Sequence, residues 1–228
     1  MKDFQISKPL RHNRDVFHAW MIKGTENAGK LDMPMLERVK CLPNELISFS
    51  DAMDPKITNF DKTVHFFEDD YLIERFWNNP TAYLNRLKKF NSVIGLDYSV
   101  CWDFPVALKN YNYFRNNLCT SWLQKNLPVV IPQARCEASN CLDVLAGHPK
   151  NSTIAIGART MVKDKRDRRV LKECVKCVVD CLEPINILWY GSHLYGVADY
   201  ALEKGIPIKF YKGKGRGHLT SDSKRTGD

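Results

Sequence analysis

The residues best equipped for chemistry fall in short polar clusters, each directly after an apolar run. Thr63–Phe67 leads into Glu68, Asp69 and Asp70, and the run ending at Leu96 leads into Asp97, Tyr98 and Ser99. PVVIPQ (residues 128–133) leads into Arg135 and Glu137, STIAIG (152–157) into Arg159, and INILWYG (185–191) into Ser192 and His193. IPIKFY (206–211) leads into Lys212 and Lys214. A carboxylate after four apolar residues is costly unless it is bonded or used, which makes Asp97 the central candidate as nucleophile, base or metal ligand. Ser99, Glu137 and Asp69 complete the candidate catalytic set; the competing reading of Glu68–Asp70 is that one of them caps the next helix. Gln133, Arg135 and Glu137 alternate, so an extended segment would bring them to one side. Gln133, Arg135, Arg159, Ser192, His193 and Lys214 form the candidate substrate-binding set, with the cations suited to phosphate. In such a site the carboxylates either bind Mg²⁺ or act on the substrate directly. No Gly-x-Ser-x-Gly elbow accompanies Ser192 and His193, which argues against a serine hydrolase. KGKGRG (212–217) lacks the residue order of a Walker loop, and its plain alternative is a basic tail.

These clusters line up because the apolar runs have a regular setting. Six runs (63–67, 92–97, 128–133, 152–157, 185–191 and 206–211) alternate with stretches of helical spacing. Those stretches cover Tyr71–Leu87 across Pro80, Phe104–Lys125, Ser139–Ala146, Lys165–Leu182 and Leu194–Lys204. That alternation predicts βαβ crossovers and an α/β fold of about six parallel strands. Continuously apolar strands are covered on both faces. Two closures fit: a barrel-like, incomplete β/α barrel, or an open doubly wound sheet. In either one, ligands bind at the carboxyl ends of the strands, where the polar clusters lie. Residues 1–60, with scattered prolines and at most a short strand at Leu46–Ser50, read as an irregular arm packed on the body. The α/β domain is expected over 61–211 and a basic tail over 212–228.

Residues 151–228 hold fifteen basic and nine acidic side chains, and so most of the net charge of +8. Such an excess favours an anionic partner, nucleic acid or a phosphate-bearing ligand, against the plainer reading of a solvated basic face. No apolar stretch is long enough for a membrane span and the first residues do not form a secretory signal, so the expectation is a cytoplasmic protein with no membrane partner. Eight cysteines in such a setting are expected to be reduced. Cys174, Cys177 and Cys181 sit at i, i+3 and i+7 of a helix beside Leu171 and Val178, the spacing of a core stripe rather than a zinc site, which needs a fourth ligand. Trp77, Trp102, Trp122 and Trp189 read as core rather than base-stacking platforms.

HFFEDDYLIERFWNNP, the Asp97-x-Ser99 strand end, Asp103-x-Pro105, PVVIPQ and WYGS together resemble a domain-of-unknown-function family, number 4417, of phages, prophages and bacterial mobile elements. The resemblance covers roughly residues 45 to 195; it implies a phage or mobile-element setting within a bacterial host and marks Asp97, Ser99 and Asp103 as motif positions. The order of strand ends is also similar to the barrel of tRNA-guanine transglycosylases and their phage DNA-modifying relatives. That second likeness is a fold-level analogy. It implies an enzyme acting on a nucleotide or nucleic acid, transglycosylase-like or metal-assisted. The alternative is a non-catalytic nucleic-acid-binding accessory or phage effector.

Overall fold

The computed structural model describes residues 15–213. A two-stranded antiparallel ribbon, β1 (Asn27–Ala28) and β2 (Met33–Pro34), precedes the main body. The body then alternates: β3 (Leu46–Ser48), α1 (Phe49–Ala52), β4 (Thr63–His65), α2 (Asp70–Asn78), α3 (Pro80–Leu87), β5 (Ser92–Ile94) and α4 (Val106–Asn126). It continues through β6 (Val130–Ile131), α5 (Cys141–Val144), β7 (Thr153–Gly157), α6 (Lys165–Leu182), β8 (Asn186–Tyr190), α7 (Asp199–Glu203) and β9 (Ile208–Tyr211). One sheet has the order β3-β4-β5-β6 and a second the order β7-β8-β9. Every pairing in both is parallel, as the alternation predicts.

Among the described residues the parallel strands number seven rather than six. Leu46–Ser48, falling within the short strand read above in an otherwise irregular arm, pairs in register with Thr63–His65 as the edge strand of the first sheet. Neither sheet reverses its order, as an open doubly wound sheet does at its switch point. An isolated parallel bridge joins Gln133 to Ala155 between the sheets. There the Ala155 amide donates to Pro132 O at 2.8 Å and the Ala134 amide to Ala155 O at 3.0 Å.

Side chains alternate across each strand, and both sides are buried. Val93, Ile154, Ile156, Ile187 and Trp189 face clusters built with the helices. Ile94, Ile131, Ala155, Leu188 and Tyr190 turn the other way and meet Phe67 and Tyr211 in a separate cluster. The segment from Val39 to Leu46 packs against this third cluster. It is pinned by Thr153 N to Val39 O (2.7 Å) and by the Tyr211 hydroxyl donating to Pro43 O.

Two helices depart from simple expectation for physical reasons. The stretch Leu194–Lys204 is broken into a 3-10 turn (Leu194–Gly196) and α7, because Tyr195 and Gly196 both take positive φ, 65° and 64°. The long α4 buries Asn112, Asn116, Asn117, Thr120 and Ser121 among its apolar residues. Two of them, Asn112 and Asn116, serve the chain that leaves β5, while Asn117 donates to Pro34 O and Thr120 to Asn116 O. Asn116 accepts from Tyr98 N (2.8 Å) and donates to Tyr98 O (3.3 Å), while Asn112 donates to Ser99 O (2.7 Å). After a last ladder bond from Gly95 N to Ile131 O, the backbone at Tyr98 and Ser99 is satisfied by helix side chains, and β5 ends earlier than its apolar run. α6 matches its predicted span; Asp164 caps its first turn by accepting from Arg166 N (2.7 Å) and Asp167 N (3.3 Å).

Candidate functional site

The strapping of residues 96–99 onto α4 decides where Asp97 points. Leu96 and Tyr98 are fully buried among the helix-side residues, so Asp97 between them projects to the opposite side. There Gln133 Nε2 donates to Asp97 Oδ1 at 2.7 Å, and Arg135 makes a two-pronged contact, Nε to Oδ1 and Nη2 to Oδ2, both 3.0 Å. Arg135 Nη2 also donates to Gly157 O at 3.2 Å. The pair is nearly enclosed, with side-chain exposures of 16% for Arg135 and 9% for Asp97. The guanidinium is held still more firmly in its charged form by the carboxylate beside it, although burial works against that charge. Gly157 is a steric requirement of this arrangement. A Cβ there would lie 2.6 Å from a Phe67 ring carbon and 2.9 Å from Asp97 Oδ2.

The expected alternation holds for Gln133 and Arg135 and fails for Glu137. The chain turns over residues 138–140, Glu137 N bonds the Asn140 side chain (3.1 Å), and the Glu137 carboxylate pairs with Lys109 Nζ at 2.7 Å. Glu137 therefore belongs to an ion pair between the loop and α4, away from Asp97. Ser99 is also engaged: its amide and hydroxyl both donate to Asp70 Oδ1, at 3.1 and 3.0 Å. Asp70, rather than Ser99, carries the perturbed proton affinity here. Burial raises its pKa against the two Ser99 hydrogen bonds that lower it, with Asp97 adding a smaller upward push. Glu68 accepts from Ser50 N (2.9 Å) in the first turn of α1, a structural duty.

Two cavities open at the carboxyl ends of the strands. One, of about 260 Å³, is lined by Asp69, Asp97, Ser99, Arg135, Arg159 and Asp167 among others. The other, of about 770 Å³, is lined by Arg159, Lys163, Ser192, His193 and Lys212, with Phe210 and Tyr211. Arg159 and Thr160 belong to both walls. Arg159 Nη1 reaches to 3.7 Å from Asp69 Oδ1, which ties the basic wall to the acidic one. The larger cavity is backed by glycine: Gly191 has φ +109°, and a Cβ there would lie 2.8 Å from the Arg159 amide nitrogen. The His193 ring sits 4.4 Å from that of Phe210. A third space, of about 310 Å³, shares Phe210, Tyr211 and Lys212 and reaches Tyr190 and His65.

Of the residues expected from sequence, Asp69, Asp97, Ser99, Arg135, Arg159, Ser192 and His193 thus meet at one rim, with Gln133 bonded to Asp97 behind it. Glu137 does not, and Lys214 lies outside the described residues. Lys163, Thr160 and Asp167 were missed as individual positions, although all three lie in the ARTMVKDKRDRR stretch after β7. Asp167 has its pKa raised, chiefly by burial and then by Asp164 and Asp103. Among the described residues no group of three His, Cys, Asp or Glu side chains is arranged to hold a metal ion. Nor is any described helix long and apolar enough to cross a membrane.

Fold and rim together define a parallel α/β protein with a polar cleft, acidic on one wall and basic on the other, at the strand carboxyl ends. The chain belongs to the family described as Domain of unknown function (DUF4417), whose family model matches residues 25–207. It is similar to the Gene 1 protein of Mycobacterium phage L5, 30% identical over 130 residues that make up 57% of each chain. It is also similar to the Gene 1 protein of Mycobacterium phage D29, 28% identical over 133 residues, 58% of this chain and 49% of that protein. The chain spans about half the length of the curated relatives it matches. These relatives set the family among phage proteins. No solved structure matches the chain.

Proposed function

We propose that the rim cleft binds a phosphate-bearing small ligand, a nucleotide, and that the protein is an enzyme acting on it. The observation that carries this reading is Arg159, which stands in the wall of both cavities and lies 3.7 Å from Asp69. A ligand phosphate held by Arg159, Lys163 and Lys212 would sit against the backbone of Gly213, beside the aromatic rings of Phe210 and His193. The volume of about 770 Å³ falls in the ordinary range of small-molecule sites. Asp97 is read as the anchor that orients Arg135, because three donors already engage its oxygens. The carboxyls left to act on the ligand are Asp69 and Asp167, and burial moves Asp167 toward the range useful to a general acid–base group. Mg²⁺ arriving with the ligand's phosphates would need only one or two protein carboxylates, and Asp69 is the exposed one.

The same reading takes the two sheets as one barrel-like layer. Strands in sequential parallel order with right-handed crossovers put every helix on one face, so the other face is covered only if the layer curls on itself. The Gln133–Ala155 bridge, the third cluster, and the contacts of Tyr211 with Pro43 and Lys209 with Asn44 support it. The α/β unit then begins before residue 61, with β3, and the protein works in the cytoplasm of a bacterial host.

Titration calorimetry with a nucleoside 5′-monophosphate and with the matching nucleoside tests the reading. The monophosphate is expected to bind and the nucleoside to bind at least about tenfold more weakly, with Arg159→Ala losing a similar factor, the value of one charge-assisted contact. Equal, weak binding of both would refute it. The second reading, a nucleic-acid-binding accessory, draws on the basic excess of residues 151–228. It predicts instead tight binding of long nucleic acid, log-linear in salt and indifferent to Arg159→Ala.

A further inference from the structure

The four tryptophans read as core divide in the structure. Trp77, Trp122 and Trp189 are buried, whereas Trp102 is 43% exposed, because it stands on the turn between β5 and α4 rather than inside an element. Its carbonyl accepts from Lys109 Nζ at 2.8 Å, which ties down the turn, and the Arg166 guanidinium lies over its ring at 4.7 Å. A second pair of the same kind stands beyond β8. Tyr195 is 64% exposed, and the Arg168 guanidinium lies over its ring at 4.4 Å. Arg168 is itself held, since Nη1 donates to Val162 O (2.9 Å) and Lys163 O (3.1 Å). Tyr195 also takes a left-handed backbone, φ 65°, which is uncommon for a bulky residue and gathers at functional sites.

The two pairs flank the mouth of the cleft. Trp102 follows Cys101 in the wall of the smaller cavity, and Tyr195 comes two residues after His193 in the wall of the larger one. Between them stands the first turn of α6, where Arg166 and Arg168 are about 200° apart around the helix and reach to opposite sides. β5 and β8 are three strand spacings apart through β6 and β7, about 15 Å. The stretch from Arg159 to Arg169 carries six basic and two acidic side chains, and Lys163, Lys165 and Arg166 are exposed along it. A simple anion would need only the cations. Rings set in series with them suit a polymer that presents a phosphate and an aromatic face at every step, and those faces are open only in an unpaired strand.

We propose that the nucleotide held in the cleft belongs to a single strand of nucleic acid, whose neighbouring bases stack on Trp102 to one side and on Tyr195 to the other. This rests on the reading of the cleft as a nucleotide site and adds that its substrate is a polymer. The strand's phosphates run past Lys163, Arg166 and Arg168 between the two rings, while Arg159 keeps the phosphate of the central nucleotide. Contacts to base faces and phosphates make the binding tolerant of sequence. Binding through the basic excess alone needs no rings and accepts duplex equally well.

The test is fluorescence anisotropy at fixed salt with end-labelled pentathymidylate, competed by thymidine 5′-monophosphate, by a DNA hairpin with a fully paired stem and by polyglutamate. The open strand is expected to bind at least about tenfold more tightly than the monophosphate, and more tightly than the hairpin or polyglutamate. Trp102→Ala and Tyr195→Ala should each lose about tenfold for the strand, the value of one stacked base, and nothing for the monophosphate. Trp102→Phe keeps a ring and should retain most of the affinity. Both positions are exposed, so the variants should keep the wild-type circular dichroism spectrum. A monophosphate that binds as tightly as the strand, or strand binding indifferent to both alanine variants, would overturn this inference and leave the cleft reading standing. So would a hairpin or polyglutamate that competes as well as the open strand. Strand binding that needs both rings yet is unchanged in Arg159→Ala would refute the cleft reading, and with it the entry of the strand into the cleft.

Discussion

Replacing Arg135 by alanine removes two hydrogen bonds to Asp97 and one to Gly157 O, and leaves a carboxylate that is 9% exposed with Gln133 as its remaining donor. Breaking a buried pair by removing one partner costs about 3–5 kcal/mol. Arg135 retains some solvent contact at 16% exposure, so the lower end, about 3 kcal/mol, is expected. In a domain of this size about 3 kcal/mol corresponds to a fall in Tm of roughly 6–12 °C. Urea unfolding followed by circular dichroism measures the loss as a shift in midpoint at constant slope. The double variant Asp97→Leu with Arg135→Met should recover most of the stability, since exchange of a buried pair for apolar groups is often neutral. A loss below about 1 kcal/mol in Arg135→Ala, the size typical of an exposed pair, would refute the claim that Asp97 and Arg135 form an enclosed anchor.

Three further outcomes follow from the same geometry. Gly157→Ala forces a Cβ against Phe67 and Asp97 Oδ2, so a cost of about 1–3 kcal/mol is expected in the same assay, and a change within about 0.5 kcal/mol would contradict the packing described. The His148 ring hydrogen-bonds Gln133 O through Nε2, and burial brings its pKa down from 6.5 to about 4. The unfolded chain therefore binds the extra proton first, so stability is full above about pH 6.5 and falls as the pH drops toward 4, by at most about 3 kcal/mol; His148→Asn should flatten that slope. Lys109→Met leaves Glu137 without its cation and should cost about 2–4 kcal/mol, yet leave nucleotide binding unchanged, because Glu137 stands outside the cleft. A specific loss of binding in that variant would return Glu137 to the site.

Much of this arrangement was legible in the chain, and the exceptions have local causes. Lys165–Leu182 matched its span because one apolar stripe runs its whole length between an aspartate cap and a left-handed residue, Glu183. The rim could be read because polar residues follow each apolar run. Leu46–Ser50 was legible as a short strand but was left in an irregular arm among scattered prolines, because the pairing of Leu46–Ser48 with Thr63–His65 is a long-range contact with no local signal. Glu137 was grouped with Arg135 by alternation, and a turn at 138–140 ended the alternation. Asn112 and Asn116 of α4 satisfy the backbone at Ser99 and Tyr98, a tertiary role that helical spacing alone does not reveal. The meeting of Cys136 and Cys141 with α6 depended on the packing of α5 against it, which spacing along the chain does not encode.

The most direct check of the cleft is to follow backbone amides by NMR while a nucleoside 5′-monophosphate is added. The account predicts saturable shifts concentrated at Thr160, Gly191, Ser192 and Gly213, abolished by Arg159→Ala with the remaining spectrum intact. Shifts scattered instead over the outer face of α6, at Arg169, Lys172 and Lys176, or no saturable shifts at all, would contradict it.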